Sequence, residues 1–120
     1  MSQRSTVWIT TEDAHDLGIR GDEFPSRILD LKTMVYELLK TGSPQDIVVL
    51  PYFRNFAEIV VHIRDRSIEG PIIIYTKGEI MQMNLLDYAS QGVVFLDSSR
   101  FTNLMVIGFI TFLQKRQELI

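Results

Sequence analysis

Two runs constrain what this chain can fold into: "DIVVL" at 46–50 and "PIIIYT" at 71–76. Both are continuous in apolar, mostly β-branched residues and lack the polar alternation of a strand with one wet face. Such strands are covered on both faces, as in a parallel sheet with helices above and below it. Three further β-rich runs, "TVWIT" (6–10), "SRILDL" (26–31) and "VVFLD" (93–97), bring the expected strands to five. Apolar stripes at helical spacing separate the last four: Met34, Val35, Leu38 and Leu39; then Phe56, Ile59, Val60 and Ile63; then Met81, Leu85 and Ala89. "KTGSP", "EGP" and "QG" come after these stripes as stop signals. Strands alternating with helices predict right-handed βαβ units and a doubly wound α/β sheet.

Two segments are ambiguous. Residues 26–41 also keep a helical period through Ile28, Leu31, Val35 and Leu38, so they read as one long helix or, preferably, as a strand and then a helix. Residues 11–25, "TEDAHDLGIRGDEFP", contain two Gly and end on Pro, which predicts an abbreviated first helix.

The 120 residues are expected to form one domain, 1–120. A net charge of −3 offers no basic footprint for nucleic acid. The absence of cysteine removes disulfides, thiolate metal sites and cysteine nucleophiles. The two His are expected at exposed polar positions, so no metal site is expected from them. The N-terminal "MSQRST" has no apolar run behind it, and "LMVIGFITFL" at 104–113 is too short to span a bilayer; a cytoplasmic chain is expected.

"ELLKTGSPQDIVVLP" with "PIIIYTKG" after it resembles the receiver domain of bacterial response regulators, and the resemblance covers essentially the whole chain. It implies a flavodoxin-like five-stranded parallel sheet, order 2-1-3-4-5, with the site at the C-terminal ends of the strands. In that family two acids after the first strand and an aspartate after the third hold Mg²⁺, and that aspartate is the phosphoacceptor. A hydroxyl after the fourth strand and a Lys after the fifth bind the phosphoryl oxygens. Here Glu12 and Asp13 match the acidic pair, Thr76 the hydroxyl, and Phe95 the aromatic whose rotamer is coupled to phosphorylation. Pro51 stands at the phosphoacceptor position, and "FLDSSR" places Ser98 where the Lys is sought. Asp46 is no substitute acceptor, because it begins its strand at the wrong end of the sheet.

The resemblance therefore implies a pseudo-receiver: a signal-transduction module of the two-component type without the phosphoacceptor, no enzyme and with no cofactor. Such a module would act by protein–protein contact or dimerisation, regulating or localising an output domain or partner. The family's surface of fourth helix, fifth strand and fifth helix would here present Met81, Met83, Tyr88, Phe101, Met105 and Phe109. The last helix is apolar almost all round, so either 11–25 or a partner is expected to cover it, with the partner favoured. The polar tail "QKRQELI" reads as a possible continuation into an output domain.

Alternatives are a small-ligand sensor at the strand-end crevice near Thr76, Lys77 and Ser98, and a regulator of the STAS type, whose "DSSG" junction "FLDSSR" resembles with Arg100 in place of Gly. "RGDEF" at 20–24 resembles the GGDEF signature but has only 19 residues before it, and reads as a charged turn. Glu12 and Asp13 alone read as solvated loop acids rather than as a cation site.

Overall fold

The computed structural model describes residues 5–78 and 88–118. Five strands, β1 (Val7–Thr10), β2 (Ser26–Leu29), β3 (Ile47–Pro51), β4 (Ile72–Thr76) and β5 (Val93–Asp97), form one sheet in the order β2-β1-β3-β4-β5. All four pairings are parallel. The helices among the described residues are α1 (Thr11–Leu17), α2 (Leu31–Thr41), α3 (Phe56–Asp65) and the C-terminal helix (Asn103–Glu118). This is the doubly wound arrangement expected.

The two constraining runs are buried on both faces. Ile47, Val49, Ile73 and Tyr75 pack with Ala14, Leu17, Val106 and Ile110 on one side. On the other side, Val48, Leu50, Ile72 and Ile74 pack with Met34, Leu38, Phe56, Val60 and Ile63. Neither run has a solvent face on which a polar residue would be tolerated, hence the missing alternation.

Asp30 settles the ambiguity at 26–41. Its side chain is the N-cap of α2: Oδ1 accepts from the Thr33 amide at 2.9 Å and Oδ2 from the Thr33 hydroxyl at 2.8 Å. Fixing the backbone in an extended conformation at this residue separates strand from helix. The first helix is indeed short, seven residues ended by Gly18 in the left-handed region at φ 73°.

After α1 the chain returns to the core. Ile19 and Phe24 are buried in the same core cluster as Val106 and Ile110. Glu23 closes the turn between them by accepting from the amides of Arg20 (2.8 Å) and Gly21 (3.4 Å). "RGDEF" is thus a turn with an apolar plug. Residues 19–24 thus give two apolar side chains to the core cluster that the C-terminal helix joins through Val106 and Ile110. The outer side still exposes Leu104 (81%), Met105 (54%) and Phe112 (58%). The helix runs on to Glu118, and its polar end docks against the sheet: Gln114 Nε2 donates to the Ser5 carbonyl at 3.1 Å. Among the described residues no helix is long and apolar enough to cross a membrane.

Candidate functional site at the strand ends

The C-terminal ends of the strands gather most of the chemistry-bearing residues. Thr10 ends β1 and caps α1, its hydroxyl accepting from the Asp13 amide at 3.1 Å. The two threonines therefore carry the acids into the first helical turn, rather than leaving them in a loop. Helical rotation then separates their fates. Glu12 faces solvent, while Asp13 turns inward and is 1% exposed. Its Oδ2 is buried without a hydrogen-bond partner. Burial is the main reason that the Asp13 carboxyl is pushed up to about 7, and the neighbouring charges of Glu12 and Asp16 add to it. The Thr10 hydrogen bond and Lys77 oppose that rise. The reading of both acids as solvated holds for Glu12 and fails for Asp13.

The cation of this site comes from an unexpected strand. Lys77 directly succeeds β4, and its ammonium reaches across to α1. It pairs with Asp16 Oδ2 and lies 3.6 Å from Glu12 Oε1. The hydrogen bond to Asp16 is the main cause that raises the Lys77 pKa. Glu12 and Asp16 are four residues apart, so α1 presents both on one side. That spacing is visible in the sequence, and it is the signal that would have added Asp16 to the site.

The remaining expected residues divide. Pro51 ends β3, half-buried, and lines a cavity of about 390 Å³ with Thr10, Thr11, Glu12, Asp30 and Leu31. Thr76 is fully buried, and its hydroxyl is directed at the Leu96 carbonyl at 3.4 Å. Ser98 is exposed at the end of β5, its amide donating to the Thr76 carbonyl at 2.9 Å, and its side chain hydrogen-bonds the Tyr75 hydroxyl. Burial raises the Tyr75 phenol pKa, and the charges of Asp16 and Asp13 act in the same direction. Glu12, Pro51 and Thr10 thus border one crevice, whereas Thr76, Lys77 and Ser98 do not line it.

Phe95 is half-buried on the α3 side. It meets Phe56 and Tyr88 edge-on, with ring centroids 5.7 and 5.6 Å apart. On the opposite side of the sheet, Phe101, Met105 and Phe109 line an apolar groove of about 310 Å³ with Leu96 and Val106. The expected interaction surface is therefore divided by the sheet edge, with Tyr88 on one side. Met81 and Met83 lie outside the described residues. Neither Ser98 nor Ser99 caps the last helix. Thr102 does so, its hydroxyl accepting from the Met105 amide at 3.2 Å, while Ser99 bonds Asp97.

No family model matches the sequence, and no curated protein matches it. Among solved structures, the chain is similar to one described as "Structure of the Francisella response regulator 1452 receiver domain". The TM-score is 0.69 at 16% identity, covering 94% of this chain and 98% of that one. The fold is that of a receiver domain. In this receiver-like fold the strand-end crevice is the place where ligands bind to open α/β sheets, and it is where Glu12 and Pro51 stand.

Proposed function

We propose that this chain is a receiver-like signalling module that does not use aspartyl phosphorylation and acts by contact with other protein surfaces. The observation that carries the reading is Pro51 at the C-terminal end of β3. Proline has neither a carboxylate to accept a phosphoryl group nor a backbone N–H to hold one. Asp46, the acid nearest in sequence, stands at the other end of the strand. It is buried and engaged there by the Trp8 indole N–H (2.8 Å) and by the amides of Thr6 (3.0 Å) and Ser43 (2.8 Å). A role for it in phosphoryl transfer would compete with these bonds at either oxygen.

The aromatic position supports the same reading. Phe95 packs in a cluster with Phe56, Tyr88 and, through Phe56, Tyr52. Each edge-on contact favours this placement of the Phe95 ring, which suits a domain held in one conformation. The outward route for action is the groove lined by Phe101, Met105 and Phe109.

The test is incubation with a small acyl-phosphate donor and Mg²⁺, then intact-mass analysis. We expect no added phosphoryl group. A stoichiometric adduct labile to hydroxylamine would overturn the reading.

A further inference from the structure

The acidic corner of the site departs from the receiver pattern in a way that its Pro51 alone does not explain. Two carboxylates of one short helix, Glu12 and Asp16, meet a lysine that follows β4, two strands away from β1. We propose that the Lys77 ammonium is the resident cation of this corner: it stands between Glu12 and Asp16 in place of a divalent ion, and thereby excludes one.

Three observations carry this. The first is geometry. Lys77 Nζ pairs with Asp16 and lies 3.6 Å from Glu12 Oε1; the helical spacing brings these two acids to one side. The chain is turned just after the lysine by Gly78, in the left-handed region at φ 92°, so the side chain departs from the very end of β4. The second is the donor set. Mg²⁺ demands near-octahedral oxygen ligation, and the third strand supplies a pyrrolidine ring instead of a carboxylate. Among the described residues no group of three acidic or histidine side chains is placed to hold a metal ion, so an ion here would rest on Glu12, Asp16 and water alone, a weak site that the ammonium already occupies. The third is Asp13, whose Oδ2 is buried without a hydrogen-bond partner and whose carboxyl feels the charges of Glu12, Asp16 and Lys77. Lys77 pairs with its neighbours Glu12 and Asp16 instead.

The lysine has a thermodynamic advantage over any ion from solution. An ammonium tethered by a short chain acts at a high effective concentration, so a divalent ion must displace it as well as shed its own water. The ammonium also needs no fixed coordination geometry, since its donors rotate on a flexible stem. Removing the tether while keeping the fold should therefore release the two acids and open the corner to cations. Which cation balances these acids does not depend on the signalling role proposed above.

The experiment is a titration with Mn²⁺, monitored by the electron paramagnetic resonance signal of the free ion. The proteins are wild type, Lys77→Met, Lys77→Gln, Lys77→Arg and the double variant Lys77→Met with Asp16→Asn. Circular dichroism confirms the fold of each. Wild type and Lys77→Arg are expected to leave the signal unchanged at about millimolar Mn²⁺. Lys77→Met, or Lys77→Gln if the methionine variant does not fold, is expected to bind one ion at least about tenfold more tightly. The double variant should lose that gain. Wild type binding as tightly as the neutral variants, or neutral variants binding no tighter than wild type, overturns the proposal. If no neutral variant folds, submillimolar binding by wild type overturns it, and the absence of such binding together with its absence in Lys77→Arg supports it.

Discussion

Asp13 shows how one side chain can set the pH response of a whole fold. In the unfolded chain its carboxyl titrates near the ordinary aspartate value of about 3.9. In the native state burial moves it to about 7. The folded protein then binds more protons than the unfolded one between these values, so stability falls as pH rises through that window. Below the unfolded pKa the penalty is absent, and above about 7 it is fully present. A shift of this size corresponds to roughly 4 kcal/mol. Asp13→Asn keeps the volume and removes the charge, so it should stabilise the protein by about 2–4 kcal/mol at pH 8 and have little effect near pH 4. Urea unfolding of both proteins at the two pH values checks this, and an equal effect at both would refute it. The identity of this residue was readable from the sequence, but its burial was not. That depends on Thr10 starting the helix early enough to rotate Asp13 toward the sheet. Pro51 was legible because a continuous apolar run announces its own end. Lys77 was missed as the cation because its role depends on a contact across the sheet, which has no local signature.

At the scale of elements, the strand-end site opposes a second polar network that holds the N-terminal edge of the sheet. Asp46 ties β1, β3 and the turn after α2 together through Trp8, Thr6 and Ser43. Its removal leaves three donors without their acceptor, so Asp46→Ala should cost about 3 kcal/mol or more, read as a lowered urea midpoint. Nearby, Arg64 of α3 reaches four backbone contacts with one guanidinium: Nη1 to the carbonyls of Ile68 (2.6 Å) and Gly70 (2.9 Å), and Nε and Nη2 to that of Gln91 (3.0 and 2.6 Å). This binds the entry of β4 to the turn before β5. Lysine retains the charge but not the planar fork, so Arg64→Lys should destabilise by about 1–2 kcal/mol, with faster amide exchange at the start of β5. Neither network was legible in the sequence, whereas the strands and helices themselves were. Apolar runs, stripes and stop signals are local and repeat along the chain. A buried carboxylate meeting an indole 38 residues away is a product of the sheet order. The abbreviated α1 was readable from Gly18, but the return of Ile19 and Phe24 to the core was not. Two apolar residues in a loop do not say which face they will cover.

At the scale of the whole molecule, the C-terminal helix is divided between core and surface. Val106 and Ile110 face the sheet and are buried, and Ile19 and Phe24 join them in the same cluster. Leu104, Met105 and Phe112 are left exposed, and Met105 lines the groove with Leu96, Phe101 and Phe109. Single exposed apolar residues are ordinary on any protein, but an apolar groove with an exposed methionine in its wall is the kind of patch that marks an interaction site. Methionine at its rim can repack against a partner with little strain. Association through it should be visible without a named partner, because a second copy carries the same apolar groove. Light scattering after size-exclusion chromatography is expected to show a dimer that grows with concentration. Met105→Glu is the informative variant, since Met105 is more than half exposed and its replacement leaves the core cluster intact. Phe109→Glu would also weaken association, but Phe109 packs against the core, so its loss confounds docking with folding. The expected result is a Met105→Glu monomer with an unchanged thermal midpoint. A wild-type monomer at every concentration would refute self-association and leave the groove to a different protein. A dimer that survives Met105→Glu would place the self-contact elsewhere on the domain.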